Sequence, residues 1–123
     1  MTITTLYLVH PAEDRKVEEV KAEMRELGPP AICVVDCGDY YMAIEGCHRL
    51  MAAAELGIAP VLKVFAHDDP IQVDILDTDY FKPGETKAAG EIAGAYRDRH
   101  NPVMTINPDG TLTSVQALII EEE

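Results

Sequence analysis

The sequence predicts a small α/β fold, a mixed sheet with packed helices, followed by an acidic C-terminal extension. The 123 residues suffice for one domain with a modest core. Over residues 1–66, short β-branched and aromatic runs alternate with two patterns of helical period. Residues 67–123 hold twelve acidic and four basic residues, and this net charge of -8 makes up most of the total of -12.

The predicted core, residues 1–66, has the element order β-α-β-β-α-β. Its strands cover Thr4–Val9, Ala31–Asp36, Tyr40–Ile44 and Pro60–Ala66, and its helices cover Glu13–Leu27 and Glu45–Leu56. The first helix carries one narrow apolar stripe, which we expect to be buried: Val17, Val20, Met24 and Leu27. Between the second and third strands, Cys37-Gly38-Asp39 is typical of a hairpin with a positive φ at Gly38.

Residues 67–123 form an extension of unspecified role that we expect to pack on this core. The extension's predicted elements are a strand or helical turn, a helix weakened by Gly90 and Gly94, and a hairpin, covering Ile71–Leu76, Thr86–Arg99 and Pro102–Thr113 in turn. The hairpin turns at Asn107–Gly110. Ser114 is predicted to cap a last apolar segment, and Glu121–Glu123 to be solvated.

Composition excludes several classes of protein. No stretch approaches the roughly 20 apolar residues of a membrane span, and the first residues lack the basic flank of a signal peptide, so we expect a cytoplasmic protein. Three cysteines without a secretion signal favour free thiols over a disulfide framework. The acidic balance disfavours binding to DNA, RNA or an anionic membrane, although a local basic site still suits one small anion.

The start of the second helix is the candidate site. A helix start presents backbone N–H groups and about half a positive charge, so it attracts anions. Gly46 permits close approach of a ligand to the backbone, Arg49 adds a planar cation, and Cys47 and His48 supply a potential nucleophile and a proton donor. An alternative is structural: Gly46 shapes a tight turn, Cys47 fills the core, and Arg49 pairs with Glu45 or Glu13.

The segment Ile44–Leu50, followed by Ala53-Ala54 and Leu56-Gly57, resembles the ParB/sulfiredoxin superfamily over about residues 4–66. Within that superfamily, Gly46-Cys47-His48-Arg49 is similar to the sulfiredoxin active-site motif. The resemblance implies that Cys47 is the nucleophile, that His48 and Arg49 hold ATP phosphates, and that Lys16 assists them. The implied reaction is ATP-dependent reduction of cysteine sulfinic acid.

The sequence departs from sulfiredoxins on both sides of this motif. Ile44-Glu45 replaces Phe-Gly, and Glu19 and Glu23 occupy the positions of hydroxyl residues, where two carboxylates repel a triphosphate. Glu45 before Gly46 instead resembles broader members of the superfamily, including ParB-fold kinases that phosphorylate free serine. Pro11-Ala12-Glu13 resembles their Pro-x-Glu motif, which implies that Glu13 acts as the base in phosphoryl transfer.

Our leading hypothesis is a protein that binds ATP, another nucleotide or a different phosphate ligand, with or without Mg²⁺. The predicted binding residues are Lys16, Gly46, Cys47, His48 and Arg49, and the predicted catalytic residues are Cys47 and Glu13. The catalytic form of this hypothesis is a phosphotransferase or an ATPase, and whether the protein is an enzyme stays open. The alternatives are a sulfiredoxin-like reductase and a non-catalytic module that binds a protein partner; the oligomeric state stays open.

Cysteine and histidine spacing gives little support to a metal site. Cys33, Cys37, Cys47 and His48 lack the spacing of common structural zinc sites, so we expect no metal. A redox pair of Cys37 with Cys47 stays open, since a hairpin turn can approach a helix start.

Overall fold

The computed structural model describes residues 4–9, 12–76, 82–97 and 101–115. The strands are β1 (Thr4–Tyr7), β2 (Ala31–Asp36), β3 (Tyr40–Ala43), β4 (Val61–Phe65), β5 (Pro70–Gln72), β6 (Thr86–Ala88), β7 (Val103–Ile106) and β8 (Leu112–Val115). The helices are α1 (Asp14–Leu27), α2 (Cys47–Leu56) and α3 (Ala89–Tyr96), with a 3₁₀ turn over Val73–Ile75. The predicted α/β class is confirmed, and the elements of residues 1–66 occur in the predicted order.

A mixed sheet organises the chain. Among the described residues, its six strands have the order β4-β2-β3-β1-β7-β8. The pairs β1/β3 and β2/β4 are parallel, whereas β2/β3, β1/β7 and β7/β8 are antiparallel. Because β7 pairs with β1, the predicted extension contributes strands to the same sheet as residues 1–66. Gly38 has the predicted positive φ, 91°, in the β2–β3 turn.

Helices cover the sheet on both faces. On one face α1 and α2 pack against Leu6 of β1 and Val34 of β2 in what we call the first core cluster, to which α2 contributes Leu50. On the other face Ile92 of α3 packs with Val35 of β2 in the second core cluster. Successive residues of a strand point to opposite faces, so β2 supplies both clusters from one apolar run.

Two predictions for the extension are wrong. Thr86–Ala88 pairs antiparallel with Pro70–Gln72 as β6, so the predicted helix begins only at Ala89. Ser114, predicted to cap a last apolar segment, is a strand residue of β8 opposite Met104; residues 116–120 of that segment lie outside the described residues. Both errors have one cause: the strand conformation depends on pairing with distant residues, which local propensity does not register. The predicted loop Asn107–Gly110 does join β7 to β8, whereas Glu121–Glu123 lies outside the described residues.

The glycines of α3 provide a test of this helix. Gly94 has open space for an added methyl group, so Gly94→Ala removes glycine's entropic penalty and should stabilise the protein by about 0.5–1 kcal/mol. At Gly90 the added Cβ would lie 2.1 Å from Nδ1 of the exposed His67, so Gly90→Ala should gain less or lose stability. Urea unfolding measures both, and a destabilising Gly94→Ala would contradict helical structure at residue 94.

Candidate functional site

Gly46 forms the junction between β3 and α2. It is the N-cap of α2 in the left-handed conformation, with φ 77° and ψ 31°, and its carbonyl accepts the Leu50 N–H at 2.9 Å. A Cβ at this position would lie 2.7 Å from Ile32 Cδ1 and 3.1 Å from Arg49 Nη2. Both the backbone conformation and the close neighbours therefore require glycine here.

Arg49 is held over Gly46 by two groups. Its Nη2 donates to Oε1 of Glu45, and its Nη1 donates to the Ala31 carbonyl at 3.1 Å. The second carboxylate oxygen of Glu45 accepts the Cys33 N–H at 2.8 Å. The Glu45 side chain is only 11% exposed, whereas that of Arg49 is 38% exposed. Of the alternatives for Arg49, the pairing with Glu45 is therefore present, and it ties the first turn of α2 to β2.

Cys47 and His48 begin α2 beside this pair. Cys47 is 7% exposed and belongs to the first core cluster. Its Sγ lies 3.7 Å from His48 Nδ1, and His48 is half-buried with its Nε2 atom inaccessible to solvent. The Cys47 thiol therefore lies among core side chains and beside the His48 imidazole. Little of its surface is accessible to a substrate.

Glu13 and Lys16 lie at the start of α1. Glu13 is the N-cap residue, and its Oε2 is 3.6 Å from Lys16 Nζ in an exposed ion pair. An exposed pair of this kind contributes little to stability. Lys16 is four residues before Val20 and so lies on the same face of α1, one turn away from the cleft described next.

Arg49 also lines an open cleft of about 190 Å³, which we call the Arg49 cleft. Its other lining residues come from the second half of α1 and the segment after it: Val20, Glu23, Met24, Leu27, Gly28, Pro29 and Pro30. Leu27, predicted to be buried with the stripe of α1, is 83% exposed at the rim. That prediction is wrong because α1 extends past the core that covers Val17 and Met24. The sequence analysis did not predict this cleft. The one signal for it in the sequence is the apolar stripe of α1, which continues into Pro29-Pro30.

The three cysteines are free thiols. Cys47 packs in the first core cluster, whereas Cys37 packs against the second, on the opposite face of the sheet, so a Cys37–Cys47 redox pair is wrong. Burial raises the pKa of the Cys33 thiol, with the Glu45 carboxylate adding to the effect, and burial likewise raises the pKa of Cys37. Within the described ranges, no three histidine, cysteine or acidic side chains cluster as a metal site would require.

Comparison with known proteins gives no relative. No protein-family model, no curated protein and no solved structure matches this chain. Of the helices in the part of the chain that the structure describes, none combines the length and apolar character needed to span a bilayer.

The two glycines that cap α2 allow the cost of backbone strain to be measured apart from the cost of close packing. Gly57, the C-cap, has φ 70° and nothing within 4 Å of an added Cβ, so Gly57→Ala should cost about 1 kcal/mol from strain alone. Gly46→Ala adds a contact with Ile32 to the same strain and should cost about 2–4 kcal/mol. Urea unfolding of both variants measures the difference, and equal losses would mean that nothing packs tightly over Gly46.

Thiol alkylation tests the burial of the cysteines. We expect iodoacetamide to modify Cys33, Cys37 and Cys47 more slowly in the native protein than in urea. Since the raised pKa of Cys37 keeps it mostly protonated at pH 7.5, its alkylation rate should rise about tenfold from pH 7.5 to pH 8.5. Peptide mapping by mass spectrometry assigns each site. Native Cys47 reacting at pH 7.5 as fast as an unfolded thiol would contradict its placement in the core.

Proposed function

We propose that this chain binds a phosphate-bearing ligand, a nucleotide, at the start of α2. The observation that carries the proposal is the position of Arg49, whose guanidinium lies over the left-handed Gly46 and at the rim of the Arg49 cleft. The proposal combines the partial positive charge of a helix start with the directed N–H donors of Arg49, whose own charge is balanced by Glu45. Because Ile32 and Arg49 fill the space beside Gly46, a ligand would contact the exposed part of Arg49 and not the glycine itself.

Pre-organisation supports binding by Arg49. The bonds to Glu45 and to the Ala31 carbonyl fix the guanidinium, so a ligand need not immobilise a flexible side chain. These bonds use one N–H on each terminal nitrogen, and a guanidinium has five N–H donors in all. With 38% of the side chain exposed, the remaining donors can serve a ligand in the cleft.

The other predicted site residues differ in how close they lie to the Arg49 cleft. Gly46 is the N-cap of α2, and Cys47 and His48 begin the helix; none of the three is among the residues that line the Arg49 cleft. Lys16 lies one turn along α1 from the cleft wall. Phosphoryl transfer with Glu13 as the base is the catalytic form of the same proposal. The sulfiredoxin-like alternative needs an accessible Cys47 thiolate, and its 7% exposure favours binding over thiol chemistry.

Calorimetric titration with AMP, ADP, ATP and CTP tests the proposal. We expect Arg49→Ala to weaken nucleotide binding by about tenfold to a hundredfold, the value of one charge-assisted hydrogen bond. Arg25→Ala is the matched control, because it removes an equal charge from the last turn of α1, outside the cleft. Unchanged affinity in Arg49→Ala would refute the assigned site.

A second variant at position 49 controls for unfolding as the cause of lost binding. Arg49→Ala leaves the Glu45 carboxylate, which is 11% exposed, without its cation, and this destabilises the protein. Arg49→Lys keeps the charge and loses the planar donor set, so it should remain folded and still bind less tightly. A non-catalytic protein-interaction module, the third hypothesis, predicts no nucleotide affinity in any of these proteins.

A further inference from the structure

Strand β4 forms one edge of the six-stranded sheet in the described part of the chain, and there it pairs only with β2. Four of its five residues are apolar, yet none of the five is buried. Val61 and Val64 are 57% and 48% exposed, and they are two of the four large apolar residues that are exposed among the described residues. An apolar strand that is open on both faces and along one edge is a surface to which another strand can pair.

The hydrogen bonds of β4 show which of its backbone groups point away from the sheet. The Val61 N–H donates to the Pro30 carbonyl at 2.8 Å, so the odd-numbered residues of β4 face β2. Backbone N–H and C=O groups alternate in direction along a strand, and those of Leu62 and Val64 therefore face outward. Within the described ranges, no element pairs with these two residues.

This open edge is short because both of its ends are closed. Pro60, directly before β4, has no N–H to donate. At the other end, Asp69 occupies both backbone groups of Ala66: its Oδ2 accepts the Ala66 N–H at 2.8 Å, and its own N–H donates to the Ala66 carbonyl at 3.0 Å. Leu62 and Val64 remain, each with one donor and one acceptor. The edge therefore fits one short extended segment.

A second copy of β4 is a poor occupant of this edge. Antiparallel pairing places outward residues opposite each other, and the register that uses both outward residues of each copy sets Leu62 opposite Val64. That register also places Lys63 directly opposite the same lysine of the second copy, and like charges at opposed positions destabilise a pair of strands. The two neighbouring registers bring in Pro60 or the already bonded Ala66. Two chains that each carry a charge of -12 also repel one another.

We propose that β4 binds an extended segment of another protein as an added strand, with an acidic side chain opposite Lys63. Lys63 is exposed and forms no ion pair within the described residues, so it is available to that carboxylate. Apolar side chains on either side of the acidic one would cover Val61 and Val64. No residue of β4 lines the Arg49 cleft, so this inference is independent of the proposed nucleotide binding.

Synthetic peptides test the inference on the full chain. The probe is the end-blocked peptide Ser-Thr-Val-Val-Glu-Val-Val-Thr-Ser, and the control peptide has Lys in place of Glu. In heteronuclear NMR at about 1 mM peptide, the probe should shift the amide signals of Leu62 and Val64, slow their hydrogen exchange, and bind about threefold to tenfold more tightly than the control. Equal affinity of the two peptides, or no shift with the probe, overturns the inference.

Two variants assign the binding to the edge of β4. Val64→Pro removes an outward N–H and no bond to β2, a replacement that an edge strand tolerates, so it should weaken probe binding by about tenfold or more. Val64→Thr is the matched control, because it keeps the N–H and a β-branched side chain and should bind like the wild type. Lys63→Glu should reverse the preference between the two peptides, a readout that does not depend on Val64→Pro being folded.

The remaining outcomes identify a different occupant or none. Unchanged probe binding by Val64→Pro shows that the edge of β4 is not the site. A dimer in analytical ultracentrifugation that Val64→Pro dissociates makes a second copy the occupant. Slow hydrogen exchange of the Leu62 and Val64 amides in the dilute chain without peptide shows that the chain covers its own edge. Each of these three results overturns the inference and leaves the proposed nucleotide binding untouched.

Discussion

The ion pair of Glu45 with Arg49 fixes the geometry on which the site depends. Glu45 follows β3 and also accepts the Cys33 N–H of β2, so one carboxylate joins two strands to the first turn of α2. The path of the chain then leaves no volume for a side chain at Gly46. Taking the two charges partly out of water offsets much of their attraction, so the contribution of the pair is mainly to position and less to net stability.

The same pair sets the chemistry that Arg49 can perform. A guanidinium fixed by Glu45 is pre-organised for an anion, but its charge is already balanced by that carboxylate. A ligand therefore gains directed hydrogen bonds more than net Coulomb attraction. In the proposed function, the apolar wall of the Arg49 cleft contributes to ligand affinity as much as Arg49 itself does.

Sequence reasoning succeeded where structure is local. Helix period and turn glycines predict α1, α2 and the β2–β3 turn, because each depends on neighbours within a few residues. It failed where the conformation or burial of a segment depends on residues far away in the sequence. Thus β6 is a strand because it pairs with β5. Leu27 is exposed because the core ends before the helix does. The ion pair itself stayed ambiguous, since spacing allowed Arg49 to pair with Glu45 or with Glu13. The cleft joins residues 20–30 to Arg49, a relation that no local pattern contains.

The net charge of -12 and an anion site are compatible because they act over different distances. The field of the whole chain extends about a Debye length, roughly 8–10 Å in physiological salt, and repels a long polyanion along all of its length. A single phosphate bound as proposed would instead contact Arg49 directly, at a distance where screening by salt is weak. Most of the acidity also lies after residue 66, outside the segment that builds the cleft. The net charge of -12 therefore disfavours a long polyanion and is compatible with the small anionic ligand of the proposed function.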